Sequence, residues 1–157
     1  MSRKRSNMQY LIKVNLKGLR RTWRLLALRG DQTLDDLHET IYLAFNRYDE
    51  HLYSFFFPKA ATGREKIVFR SKEFNSPVAL QEPDSFSDEK PLNAAHTTLD
   101  NLHLSVGQTF EYLFDFGDMW WHELKVVAID PVDLKVKLPK VLEIHGDSPP
   151  QYPLNDE

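Results

Sequence analysis

Period-two alternation of apolar and polar residues dominates this chain and limits it to folds built around a sheet. Met8, Tyr10, Ile12, Val14 and Leu16 share one face of a strand over residues 8–16. Residues 21–28 read as a second strand. Lys17-Gly18-Leu19-Arg20 between them reads as a turn, with Gly18 free to supply a positive φ, so the two strands form a hairpin. Residues 109–116 and 119–129 make a second hairpin. Its turn is Gly117-Asp118, with glycine at the first central position that a type II′ turn prefers. Such a turn sets Phe116 opposite Met119, Asp115 opposite Trp120, Phe114 opposite Trp121 and Leu113 opposite His122. Residues 51–57 and 66–70 read as further strands. Leu134, Val136 and Leu138 alternate with Lys135 and Lys137 as an edge strand closed by Pro139.

Only one long stretch repeats at the helical period. Leu34, Leu37, Ile41, Ala44 and Phe45 line one side of a helix over 34–46. Thr33 is its N-cap, with Asp36 three residues on in a capping-box position. Asp35, Asp36 and Glu39 lie early in the helix, where the backbone dipole favours them. Thr98-Leu-Asp-Asn-Leu102 reads as one further helical turn. Residues 71–97 show no period and contain Pro77, Pro83 and Pro91, so they read as a long surface loop. The fold class is α+β: one domain over 8–145, between a basic flexible tail (1–7) and a Pro-rich C-terminal tail (146–157) expected to pack back on it.

A chain of 157 residues fits one domain and buries roughly 68–70% of its unfolded surface without covalent staples. It has no cysteine, which rules out disulfides, thiolate nucleophiles and cysteine-based metal sites. No apolar run approaches the roughly 18–20 residues that span a bilayer, and the basic N-terminus lacks the apolar core of a signal peptide. These features point to a cytoplasmic protein with no membrane partner. Charge is uneven: residues 1–30 hold nine Lys/Arg and no Asp/Glu, and the remainder holds 11 basic and 23 acidic residues. Such asymmetry either marks a nucleic-acid-binding arm or is neutralised within the fold.

The chemistry-bearing patterns are sparse. Asp115-Phe-Gly117 matches a kinase tripeptide, but no Gly-rich loop or catalytic loop accompanies it. His38-Glu39 begins like a zinc-protease signature and fails at its fourth residue, and no two histidines have metal-ligand spacing. In the expected hairpin Asp115 and His122 are diagonal neighbours about 7–8 Å apart. With Asp118 they could serve a small metal-dependent hydrolase, and Trp120 shares their face. Arg20, Arg21, Trp23 and Arg24, beside Lys13 and Lys17, offer phosphate contacts with an aromatic among them, as nucleic-acid sites do. No catalytic set, metal ligand set or cofactor is assigned. The leading reading is a non-enzymatic binding or adaptor domain with a protein partner. Binding by the basic hairpin to nucleic acid is the first alternative, and the Asp115/His122 hydrolase the second.

Two resemblances bear on this. The order strand, strand, helix, strand, short strand, helical turn, strand over residues 8–116 resembles the ubiquitin-like β-grasp fold. It implies a mixed sheet with one main helix, extended by the C-terminal antiparallel hairpin. Gln32-Thr-Leu-Asp-Asp-Leu-His-Glu-Thr-Ile41 resembles the entry to the β-grasp helix. A sharper resemblance covers nearly the whole chain. It rests on Tyr10-Leu-Ile-Lys-Val-Asn-Leu-Lys-Gly18, Thr22-Trp-Arg24, Thr33-Leu-Asp-Asp-Leu-His38, His51-Leu-Tyr-Ser-Phe55, Phe114-Asp-Phe-Gly-Asp-Met-Trp120-Trp-His122, Pro139-Lys-Val-Leu142 and Pro149-Pro-Gln-Tyr152. These segments resemble the plasmid pRiA4b ORF-3-like family. Many of its members carry a proline before the Trp-Arg pair, where this chain has Arg21-Thr22. The resemblance implies an association with mobile genetic elements and no particular reaction.

Overall fold

The computed structural model describes residues 5–62, 64–78, 80 and 91–152. Its strands are β1 (Met8–Leu16), β2 (Trp23–Arg29), β3 (Tyr53–Phe57), β4 (Lys72–Asn75), β5 (Leu92–Asn93), β6 (Thr109–Phe114), β7 (Trp120–Pro131) and β8 (Lys140–His145). Two α-helices, α1 (Leu34–Ala44) and α2 (Glu65–Phe69), complete it. All eight strands form one sheet in the order β5-β4-β3-β6-β7-β1-β2-β8.

The β-grasp expectation is overturned by this topology. β1 lies between β2 and β7 and is antiparallel to both. The one parallel pairing among the described strands joins β4 to β5 at the far edge. The β6–β7 hairpin is inserted in the middle of the sheet, where it joins the β1–β2 hairpin to β3 and β4. It is therefore no appendage to a smaller β-grasp sheet but its centre. The α+β class describes the result: a large, mostly antiparallel sheet with one main helix.

The alternation seen in sequence explains which face is covered. Ile12, Val14, Leu26, Leu28, Phe110, Tyr112, Leu124 and Val126 turn to one side and are buried with Leu34, Leu37, Ile41 and Phe45 of the α1 segment. Each such side chain contributes roughly 1.5–3 kcal/mol of burial. On the opposite face α2 covers a smaller cluster of Phe56, Val68, Leu113 and Trp121. α1 is closed at both ends. Thr33 Oγ1 accepts from the Asp36 amide at 3.1 Å, and Asp36 accepts from the Thr33 amide at 2.8 Å. At the other end Asn46 is left-handed (φ 56°), with Arg47 N–H donating to Tyr42 O and Asn46 N–H to Leu43 O. This is a Schellman closure with asparagine in the usual glycine position.

Four local expectations change. Residues 66–70 do not form a strand. A helical turn places Val68 (fully buried) on the second cluster while Lys66 and Ile67 stay exposed. Residues 134–138 are no strand either: side chains hold their carbonyls, Arg29 donating to Val136 O and Gln32 Nε2 to Leu138 O. The edge strand is β8, six residues further on, paired with β2. Within 71–97, β4, β5 and a short 3₁₀ turn (Ala94–His96) are ordered, and the remainder of that stretch over 81–90 lies outside the described residues. The second hairpin has a wider loop than two residues. Phe114 pairs with Trp120, Leu113 with Trp121 and Tyr112 with His122, one position away from the expected register. Asp115 and Met119 carry positive φ (65° and 58°) in place of Gly117. A one-residue slip moves every side chain to the other face.

Candidate functional site: an acidic histidine cleft

A cleft of about 490 Å³ opens where the first turns of α1 meet the segment leading into β3. Its floor is aromatic and buried. The His38 ring, 1% exposed, stacks on Tyr53 with centroids 3.9 Å apart. Its Nδ1 lies 2.6 Å from the Tyr112 hydroxyl and its Nε2 2.5 Å from Glu50 Oε1. The Glu50 carboxylate only accepts, so Nε2–H donates to it, and the Tyr112 hydroxyl, which can donate or accept, serves Nδ1 in either state. Tyr53 donates to Asp35 Oδ1 at 2.5 Å, which ties the helix to β3. Burial raises the pKa of both tyrosines, so they remain hydroxyls. Around this floor stand Asp35, Glu39, Glu50, His51 and the Ser76-Pro77-Val78 segment. Among the described residues no lysine or arginine lines it. The Glu39 pKa is raised, first by burial and then by the neighbouring charges of Glu50, Asp35 and Asp36, with only His38 acting the other way. That uncompensated negative charge is a standing attraction for a cation.

Residues 148–152 pack behind the loop that carries Glu50 and His51. Ser148 Oγ donates to Phe45 O at 2.7 Å. Gln151, 2% exposed, accepts from the Tyr48 and Asp49 amides and donates to Asp49 O. The Tyr152 hydroxyl lies 2.5 Å from His51 Nε2 and donates to Asp49 at 3.1 Å. Residues 148–152 are thus held against the domain by side-chain bonds to the segment after α1.

The residues singled out in sequence are dispersed. Arg20 and Arg21 are exposed at the β1–β2 turn. Trp23 is half-buried on the outer sheet face and already covered: His145 stacks on it at 3.9 Å and Lys13 Nζ lies 4.4 Å from its centroid. Arg24 points the other way, into the core, 1% exposed. Asp118 is exposed in the hairpin loop. Asp115 Oδ1 accepts from the Gly117 and Asp118 amides, and its Oδ2 lies 3.5 Å from His51 Nε2 rather than near His122. The Trp120 ring faces the Arg47 guanidinium at 5.6 Å.

His122 is fully buried and belongs to a structural cluster. Arginine only donates, so His122 Nε2 accepts from Arg47 Nη2 at 2.9 Å, and Nδ1–H points at Tyr112 O, 3.3 Å away. Burial, and then the Arg47 charge, hold its pKa well below the usual histidine range. The folded state therefore refuses a proton that the unfolded chain accepts below about pH 6.5. Stability falls as pH drops through that value. A His122→Gln variant, whose amide oxygen can still accept from Arg47, should lose less stability between pH 7.5 and 6.0 than the wild type in urea titrations. Equal losses would contradict this role.

His38 and Glu50 were missed as a pair because twelve residues and a helix end separate them. His38-Glu39 was the one visible signal, and it belongs to no local metal pattern.

With this geometry in view the chain can be placed. The profile of the plasmid pRiA4b ORF-3-like protein family matches residues 8–152, so the chain belongs to that family. It is 29% identical over 119 residues to the uncharacterized protein y4hQ of Sinorhizobium fredii (strain NBRC 101917 / NGR234), covering 75% of this chain and 52% of that protein. The chain thus spans about half the length of that curated relative. In fold it is similar to the crystal structure of a protein of unknown function, MM3350, from Methanosarcina mazei Go1. The TM-score is 0.72 at 21% identity, over 93% of this chain and 74% of that one. No helix among the described residues is long and apolar enough to cross a membrane.

Proposed function

We propose that the domain is a binding or adaptor module, not a catalyst, and that it holds a positively charged ligand group in the cleft beside α1. The observation that carries this reading is the gathering of Asp35, Glu39 and Glu50 around the buried His38, with no lysine or arginine among the described lining residues. A pocket with convergent polar groups is the usual place for a ligand. The hydrolase reading loses its motivation, because His122 is sealed under Arg47 and Phe45 and Asp115 is engaged in its own loop. A cytoplasmic setting and an association with mobile elements fit the plasmid origin in the family's description and the lack of cysteine.

The test is calorimetric titration with hexaamminecobalt(III), a trivalent cation whose own ligands do not exchange. Binding of one ion that weakens with added salt is expected. No heat at low salt would contradict the reading.

A second reading keeps a specific observation: Arg20, Arg21, Lys13 and Lys125 lie on or beside the outer sheet face, away from the Phe56–Trp121 cluster that α2 covers. Nucleic acid there would bind with steep salt dependence. Arg20→Glu with Arg21→Glu should then abolish a gel shift at low salt, and an unchanged shift would remove this alternative.

A further inference from the structure

Three donor atoms converge in the cleft. His38 Nε2, one Glu39 oxygen and one Glu50 oxygen all lie within 4.8 Å of one another. From Nε2 the carboxylate oxygens stand at 2.5 Å (Glu50) and 3.9 Å (Glu39). Ligands around a tetrahedral ion with bonds of about 2.1 Å sit about 3.4 Å apart. The two distances straddle that value, and both glutamates are more than half exposed, at 57% and 55%, so they can adjust.

The imidazole distinguishes this cluster from ordinary surface carboxylates. It is buried against Tyr53, and Nδ1 is engaged by the Tyr112 hydroxyl, so the one ring nitrogen left to face the carboxylates is Nε2. When Nε2 gives its lone pair to a metal, Nδ1–H donates to the Tyr112 oxygen. Metal-ligating histidines are oriented in this way by a partner on the other nitrogen. Tyr112 is itself fully buried on β6, which holds that partner rigidly. Asp35, bonded to the Tyr53 hydroxyl, stays outside the ligand set.

We propose that His38, Glu39 and Glu50 bind one divalent transition-metal ion. This rests on the cleft holding a cation. One imidazole with two carboxylates suits Mn²⁺, Co²⁺ or Zn²⁺, and leaves positions open for water or a ligand atom.

The experiment titrates Mn²⁺ into the full chain after chelator treatment, read by electron paramagnetic resonance and by broadening of histidine ring protons. One Mn²⁺ per chain is expected, displaced by Zn²⁺, with the His38 ring protons broadened first. Glu39→Gln and Glu50→Gln should each weaken Mn²⁺ at least tenfold while leaving the folded spectrum intact. Unchanged Mn²⁺ affinity in both variants, or broadening centred on another histidine, would overturn the site. Hexaamminecobalt(III) separates the two claims, because it cannot accept protein ligands. If it binds while Mn²⁺ leaves His38 unbroadened, the metal site falls and the cation cleft stands. If neither binds, both fall.

Discussion

Arg24→Ala is expected to destabilise the domain by about 3–5 kcal/mol, the sum of several hydrogen bonds from one charged donor at roughly 1.5–3 kcal/mol each, less what water recovers. Its Nε donates to Ala44 O at 2.8 Å, and Nη1 lies within 3.1 Å of the carbonyls of Trp23, His145 and Gly146. One guanidinium therefore closes the last turn of α1 and pins the end of β8. It also lies over the Phe45 ring at 4.7 Å. Alanine would leave the buried Ala44 carbonyl and three part-buried ones without their donor. Arg20→Glu and Arg21→Glu, at exposed positions, should each stay within about 0.5 kcal/mol of the wild type. Urea unfolding of the three variants checks this, and an Arg24→Ala midpoint equal to that of Arg20→Glu would contradict it. Acidic substitution of all three arginines would confuse unfolding with loss of nucleic-acid contacts, so only Arg20 and Arg21 can probe the basic hairpin.

The double variant Glu39→Gln/Glu50→Gln is expected to separate stability from binding. A trivalent cation about 5 Å from a carboxylate gains roughly 2.5 kcal/mol in a water-like dielectric, and physiological salt reduces this to about 1.4 kcal/mol, or tenfold. Removing both charges should weaken hexaamminecobalt(III) about a hundredfold. The free protein, relieved of the burial and then the like-charge crowding that raise the Glu39 pKa, should unfold at an equal or higher temperature. Weakened binding together with a collapsed melting temperature would mean that these glutamates are structural.

Much of the fold is legible in the sequence where a period is long. The alternation over β1 and the helical repeat of α1, with the Thr33 cap, lead directly to the observed elements. Short segments mislead for physical reasons. Residues 66–70 are apolar enough for a strand, yet only Val68 is fully buried, and a helical turn reaches that cluster without needing a strand partner. The second hairpin slips because Asp115 and Met119 take the left-handed conformations that local reasoning assigns to glycine. That slip moves His122 to the core face and dissolves the Asp115–His122 pair. The β-grasp expectation fails both along the chain, where a helix replaces the short strand at 66–70, and in space, since element order says nothing about where a hairpin inserts. The cleft was illegible for a related reason. His38, Glu50 and Tyr112 share no local spacing and meet only because β6 runs beneath α1.

The most direct measurement is a map of backbone amide shifts in ¹⁵N-labelled protein titrated with hexaamminecobalt(III). The account predicts shifts confined to residues 35–53 and 76–78, lost in the Glu39→Gln/Glu50→Gln variant. Shifts spread over the acidic surface with no focus on that cleft, or unchanged in the variant, would contradict it.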